Sequence, residues 1–320
     1  MMVPPIKETV MARSNRLLAA LLCLALAPCA WGCSADSSIA VDGGEAGAAP
    51  EEVAAEALSA SSRTVALTND AANQWLLAGG SLVGVSDEAA TLAGIPEDAK
   101  ALGPCESLNT DDLLALDPEL VLTSEGVAVN AAALSALESK GVPVMDLTVH
   151  NMADYEKNMT SLTEITGEDE LFERNVTSVV ERANDVIAHA PEGREGSFAV
   201  LRVSSEVMEL VGPEDSASAT VSDLGLTCSV EQAVPVNADD AAEKVSEIAP
   251  DWLFVVYVQE GKAAQEAFAA VSANSAWQEL EVVSRGRAVV LPQDLFGHAP
   301  CARWGEAYSY LSQVLHGAWA

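Results

Sequence analysis

Positive charge is scarce in this sequence. Its 320 residues hold 16 Lys and Arg against 48 Asp and Glu, a net charge of −32. A surface of that balance repels phosphate backbones and anionic headgroups, which argues against nucleic acid and against a peripheral membrane-binding face. It favours solubility and, loosely, cationic ligands. Catalytic signatures are missing too: no G-x-S-x-G elbow, no P-loop, no G-x-G-x-x-G after a strand and no His-Glu-x-x-His. The carboxylates are too many and too dispersed to single out an acid/base pair, so no enzyme is expected. With four histidines and no His-x-His, a dedicated zinc cage has little support. The apolar run Leu17–Ala27 is too short to span a bilayer permanently, and no later segment approaches spanning length.

That apolar run does have a use. Lys7, Arg13 and Arg16 precede it and Ala30-Trp31-Gly32-Cys33 follows, so residues 1–33 read as a targeting segment. A small residue directly before a cysteine resembles the bacterial lipoprotein signal, with Cys33 the acylated first residue of the mature protein. Cys29 is a poorer acceptor because Pro28 precedes it, ordinary secretion without lipid is the alternative, and Met11 is a second candidate start. Residues 34–62, rich in Ala, Gly, Ser, Glu and Asp without an apolar period, read as a flexible tether. Loss of the targeting segment leaves 13 bases against 47 acids, a net charge of −34. It also leaves Cys105, Cys228 and Cys301 besides Cys33, an odd set for an exported protein. One disulfide with one free thiol and three free thiols are both open.

The most informative pattern occurs twice. Asp111 to Leu122 and Glu243 to Phe254 each begin with a carboxylate, run through one helical turn, stop at Pro118 or Pro250 and enter an apolar strand. Leu113/Leu116 and Val245/Ile248 each place two apolar residues on one helical face, and the residue before each proline is steered away from helical angles. Two copies predict two lobes. Strands are expected at 63–68, 82–85, 120–123, 142–147, 198–203, 252–257 and 287–291, with helices at 71–78, 131–139, 266–270 and 302–315. Such alternation indicates mainly parallel sheets. Between the lobes, Phe172, Val176, Val179, Val180, Ala183, Val186 and Ile187 repeat at helical spacing, predicting a connector on the order of 30 Å long that stops at Pro191 and Gly193. The expected fold is therefore α/β: two Rossmann-like lobes, 63–168 and 192–320, joined by one long rigid helix over 169–191, with a ligand held between them.

From Arg63 to the C-terminus the chain resembles the class III solute-binding proteins of ATP-binding-cassette (ABC) importers, the group that carries iron-siderophores, haem and cobalamin. The resemblance lies in the order and spacing of the strand Arg63–Thr68, Gly84-Val85-Ser86, the run Leu108–Val127, Gly141–Val144, Leu201–Ser205, Ser222–Thr227, Ile248–Val256 and the ending from Ala276. It implies a cleft lined by loops at the carboxyl ends of the strands. Asn69, Asp70, Cys105, Glu106, Ser124 and Glu125 would line it from the first lobe, and Ser204, Ser205, Tyr257, Phe296, His298, Arg303 and Trp304 from the second. It implies no cofactor, an iron chelate or haem as ligand, a monomer on a lipid anchor, and a permease with its ATPase as partners. Asp111 and Glu243 would meet permease arginines.

Cys105 stands where cobalamin binders carry an aromatic, which weakens stacking on a corrin ring. Gly297-His298-Ala299 stands where several relatives carry Lys or Tyr, which weakens a basic clamp on an anionic chelate. His298 is the candidate ligand to haem iron or a bare metal, with a solvent-facing loop histidine as the plain alternative. A Cys228–Cys301 disulfide is conceivable, as is a soft-metal site of Cys105, Cys301 and His298. Trp304 and Phe296 serve either as stacking surface or as core, and Arg303 pairs either with ligand or with Glu306. Cobalamin or metal-ion binding, a surface lipoprotein without transport, and a redox module using the thiols are the competing functions.

Overall fold

The computed structural model describes residues 58–190, 196–258 and 262–317. The proposed signal, Cys33 and most of the tether lie outside them. The first sheet is wholly parallel, with β1 (Thr64–Ala66), β2 (Leu82–Val85), β3 (Lys100–Ala101), β4 (Leu120–Thr123) and β5 (Val144–Asp146) in the order β3-β2-β1-β4-β5. The crossovers are α1 (Asn69–Leu77), a 3-10 turn (Cys105–Ser107) with α2 (Thr110–Leu114), and α3 (Ala131–Ser139). Next come α4 (Met152–Thr166), α5 (Asp169–Phe172), a π-helical turn (Glu173–Thr177) and α6 (Ser178–Ala188).

The second sheet holds β6 (Ser197–Val203), β7 (Met208–Val211), β8 (Thr227–Cys228), β9 (Val234–Val236), β10 (Trp252–Tyr257) and β11 (Ala288–Val290). The strand order is β11-β10-β6-β7-β9, with β8 also on β6. β6, β8, β10 and β11 are mutually parallel, whereas β7 folds back on β6 as a hairpin and β9 pairs antiparallel to it. Around this sheet lie α7 (Ser216–Asp223), α8 (Ala241–Ile248), α9 (Lys262–Ser272), α10 (Ser275–Gln278), α11 (Glu281–Ser284), α12 (Gln293–Phe296) and α13 (Trp304–Gly317). The stretch 292–300 contains one short helix, α12.

The repeated pattern is a repeated structure. α2 leads into β4 beside β1, and α8 leads into β10 beside β6. Asp117 and Ala249, the residues before the two prolines, both sit at φ 47°. Proline disfavours the helical region for its predecessor, and one left-handed residue reverses the chain from helix into strand.

Strands buried on both faces explain the continuous apolar runs. Side chains alternate along each strand, so Val65, Leu67 and Val121 pack on Leu113 and Leu137, whereas Ala66 and Leu122 face the opposite way. That second face belongs to a core that continues through Val176, Val179 and Ala183 of the connector and through α13 to Phe198, Val200, Trp252 and Phe254 of the second sheet. The remaining face of that sheet packs on α8, α9 and α10. Both lobes belong to one compact unit, Ala55–Ala320.

The connector is a strut with one irregularity. Its π-helical turn leaves the Asn175 carbonyl free to accept from Tyr155 Oη at 2.8 Å, and Asn175 Nδ2 donates to Leu77 O, at the end of α1, at 2.7 Å. These bonds fix its amino half to the first lobe. Its carboxyl half packs on α13, where Gly305 makes room for Arg182: a Cβ at 305 would come within 2.8 Å of Arg182 Cδ.

Candidate ligand-binding cleft

The first wall is built where β1 ends. Thr68 caps α1, its Oγ1 accepting from the Ala71 N–H at 3.4 Å and from Ser124 Oγ at 2.8 Å. The cap places Asn69, half-buried, and Asp70 in the first turn of α1. Asp70 faces the other lobe: His298 Nδ1 is 3.7 Å from its Oδ1. A quarter of the Asp70 side chain meets solvent, yet Oδ1 itself is buried without a hydrogen-bond partner. Burial raises the Asp70 carboxyl above the ordinary carboxylate range, against the pull of His298 and Arg202.

A second contact crosses between lobes from β5. His150 Nδ1 donates to Glu214 O at 2.8 Å, since a carbonyl can only accept, and His150 Nε2 lies 3.8 Å from Glu125 Oε2. Glu125 is exposed and its N–H donates to Thr148 Oγ1 at 2.7 Å. Glu106 is exposed on the 3-10 turn. On the second lobe, Ser204 and Ser205 occupy the β6–β7 turn. Ser204 Oγ accepts there from the Glu206 and Val207 N–H groups at 3.2 and 2.9 Å, and Ser205 is exposed. Tyr257 ends β10 half-buried with its ring edge-on to Phe268 at 6.2 Å, and burial raises its phenol.

Four expected cleft residues are placed otherwise. Cys105 is fully buried, its Sγ donating to Leu67 O at 2.9 Å. Phe296 and Trp304 are equally buried, with ring centroids 6.2 Å from Tyr310 and 5.9 Å from Tyr308. These three are core: Cys105 begins a 3-10 turn, Phe296 ends α12 and Trp304 follows the 3-10 turn Cys301–Arg303, and each side chain is turned inward. Arg303 is engaged locally. It donates to Asp294 Oδ2 at 3.0 Å and to Glu306 Oε2 at 2.8 Å.

One cleft residue escaped the sequence reading. Arg202 lies within β6, forms an ion pair with Asp215, and donates through Nη1 to Phe296 O at 3.3 Å and Gly297 O at 3.1 Å. Asp215 also caps α7, its Oδ1 accepting from Ala217 and Ser218 N–H. Arg202 thereby ties β6, α7 and the segment that carries His298 into one piece. A lone arginine inside the apolar strand Phe198–Val203 is the available signal, since such a charge must find partners.

Cys105, Cys228 and Cys301 are all free, which corrects the conceivable Cys228–Cys301 bridge. Cys301 is wholly buried at φ 49°, beside Asp70 and Asn73 of the other lobe, whereas the Cys228 thiol donates to Val230 O at 3.4 Å. Among the described residues no three His, Cys, Asp or Glu gather as a metal site, so Cys105, Cys301 and His298 do not form one. Burial pushes Cys105 up to about 12 and Cys301 well above the usual thiol value. A thiol reagent at pH 8 is therefore expected to leave Cys105 and Cys301 unmodified in the native chain and to modify all three cysteines in urea. Two protected thiols after unfolding without reductant would mean a disulfide.

Asp111 and Glu243 are exposed in the first turns of α2 and α8, two equivalent places. Glu243 borders a groove of about 690 Å³ that includes Val245, Pro250, Asp251, Leu280 and Arg285. This groove reaches the amino end of β10, away from the cleft. No described helix is long and apolar enough to cross a membrane.

This geometry defines a bilobal α/β protein, one sheet wholly parallel and the other mixed, whose lobes meet through loops that follow their strands. Residues 65–295 match the family model of the periplasmic binding proteins, and the chain belongs to that family, in its class III group. Its members are extracytoplasmic substrate-binding transport proteins, not enzymes, that deliver ligands to ABC permeases. The fold is shared with the periplasmic haem-binding protein RhuT from Roseiflexus sp. RS-1 (TM-score 0.64, 18% identity, 81% of this chain and 99% of that one). It is shared with the vitamin B12 binding protein BtuF of Vibrio cholerae (TM-score 0.64, 17% identity, 81% and 98%). The siderophore-binding protein FhuD from Vibrio cholerae, bound to Fe3+-Desferal, is also similar (TM-score 0.60, 15% identity, 80% and 98%). Comparison with curated protein sequences gives no match.

Proposed function

We propose that this chain is an extracytoplasmic solute-binding lipoprotein of an ABC importer, held on the outer face of the cell membrane through Cys33. It captures an iron complex, a ferric siderophore or haem, between its lobes and hands it to the permease. The observation that carries this reading is the pair of cross-lobe contacts, Asp70 with His298 and His150 with Glu214, which bring together side chains from loops at the strand ends. Iron complexes are the ligands named for RhuT and FhuD, whose fold it shares. Asn69, Asp70, Glu106, Glu125, Ser204, Ser205, Tyr257 and His298 supply the polar contacts, with Ser124 holding the Thr68 cap beneath them. Affinity comes from burying the chelate, with few polar groups fixing its orientation. The continuous core through the connector restricts closure to a small movement.

Titration of the mature protein with hemin and with ferric siderophores, followed by tryptophan fluorescence and visible absorbance, tests the reading. Saturable single-site binding with Kd of about 1 μM or tighter is expected for one of them. A Soret band displaced by His298→Ala would identify haem, and tight binding of ferric siderophore alone would identify the chelate. Failure of every iron complex to bind would refute the proposal.

A further inference from the structure

Resting on that reading, the charge of the cleft restricts the ligand further. Every described loop that follows a strand of the first sheet, residues 67–68, 86–99, 102–109, 124–130 and 147–151, is without Lys or Arg. The same loops carry Asp87, Glu88, Glu97, Asp98, Glu106 and Glu125, and Asp70 stands just beyond the first of them. On the second lobe Glu206 sits in the β6–β7 turn and Glu214 meets His150. The arginines on this side are committed: Arg202 to Asp215 and two carbonyls, Arg303 to Asp294 and Glu306. Apart from His150 and His298, Lys262, exposed at the start of α9, is the further base there among the described residues.

A second observation does not depend on this tally. Asp70 Oδ1, buried at the lobe junction, makes no hydrogen bond and has only His298 Nδ1, 3.7 Å away, as a cationic or donor neighbour. A buried acceptor without a partner is costly, so a ligand that brings an N–H or an ammonium group gains where one that brings another oxyanion loses.

We infer that the cleft selects a neutral or cationic ferric chelate carrying hydrogen-bond donors, of the trishydroxamate type, over the trianionic triscatecholates and over a porphyrin with two carboxylates. Carboxylates around a low-dielectric cleft focus a negative potential that disfavours anions at every stage of entry.

The test is a set of titrations of the mature chain at pH 8, where ordinary imidazoles are neutral. The probes are ferrioxamine B (cationic trishydroxamate), ferrichrome (neutral trishydroxamate), a ferric triscatecholate and hemin. The trishydroxamates are expected to bind at least about ten-fold tighter than either anion in low salt, with the ratio shrinking as salt screens the field. Tightest binding of the triscatecholate or of hemin overturns this inference and leaves the iron-complex reading standing. Binding of none of the four overturns that reading as well. The doubly substituted Glu125→Gln, Glu206→Gln chain separates charge from shape: its ratio should fall several-fold, and an unchanged ratio would remove the electrostatic cause.

Discussion

Replacing Arg202 by alanine is expected to destabilise the protein by about 3–5 kcal/mol, a large share of the 5–15 kcal/mol that holds a typical domain together. The side chains of Arg202 and Asp215 are only 17% and 12% exposed, so loss of the arginine leaves a carboxylate buried without a counter-charge. Two carbonyls, Phe296 O and Gly297 O, lose their donor at the same time. The effect on α7 is smaller, because the Asp215 cap on Ala217 and Ser218 survives. Arg202→Lys keeps the charge but not the fork that reaches three partners, and should recover about half of the loss. Urea unfolding of the two variants and of Asp215→Ala, set in a double-mutant cycle, measures the coupling. A cost below about 1 kcal/mol for Arg202→Ala would mean that water substitutes for the pair.

Arg202 also marks where the sequence was readable and where it was not. Positions whose burial follows a short period were legible: the strands at 120–123 and 252–257 and the connector all have apolar spacing that one geometry satisfies. So was the duplicated helix-to-strand turn, because proline constrains its predecessor whatever lies around it. The β6–β7 hairpin was not, since Ser204, Ser205 and Glu206 bear no Asn-Gly or Asp-Gly signal and the turn is closed by the Ser204 hydroxyl instead. α4 was missed because only Tyr155, Met159, Leu162 and Thr163 of its fifteen residues are buried, a sparse stripe in a polar run. Within the cleft, residue type did not distinguish wall from core. His298 is half exposed, whereas Phe296, two positions earlier, is buried, and the difference is the short helix α12 that turns one inward and leaves the other at the rim. Arg303 was open to two readings, and local acids within reach decide such cases, since a surface guanidinium takes the nearest carboxylates.

Neutralising Asp111 and Glu243 together is expected to reduce iron uptake to below about a tenth while leaving chelate affinity within about two-fold, because rim charges set orientation and encounter with a partner rather than the burial of a ligand elsewhere. Both carboxylates sit in the first turn of a helix, which fixes their direction. Among the described residues neither forms an ion pair; the neighbouring pairs, Lys100 with Asp112 and Lys244 with Glu247, use other acids and leave these two exposed. Their helices feed equivalent strands, β4 and β10, so a partner with matched arginines on two subunits would meet two similar surfaces, and the 690 Å³ groove beside Glu243 offers that contact depth. Either single substitution should leave partial transport, since one correct contact still biases the docking orientation. Uptake of radiolabelled ferric chelate by cells carrying each variant, set beside fluorescence titration of the purified proteins, separates docking from capture. Transport at the unsubstituted rate with both carboxylates removed would place the permease contact elsewhere on this acidic surface. Loss of chelate affinity in step with uptake would place the two residues in capture instead.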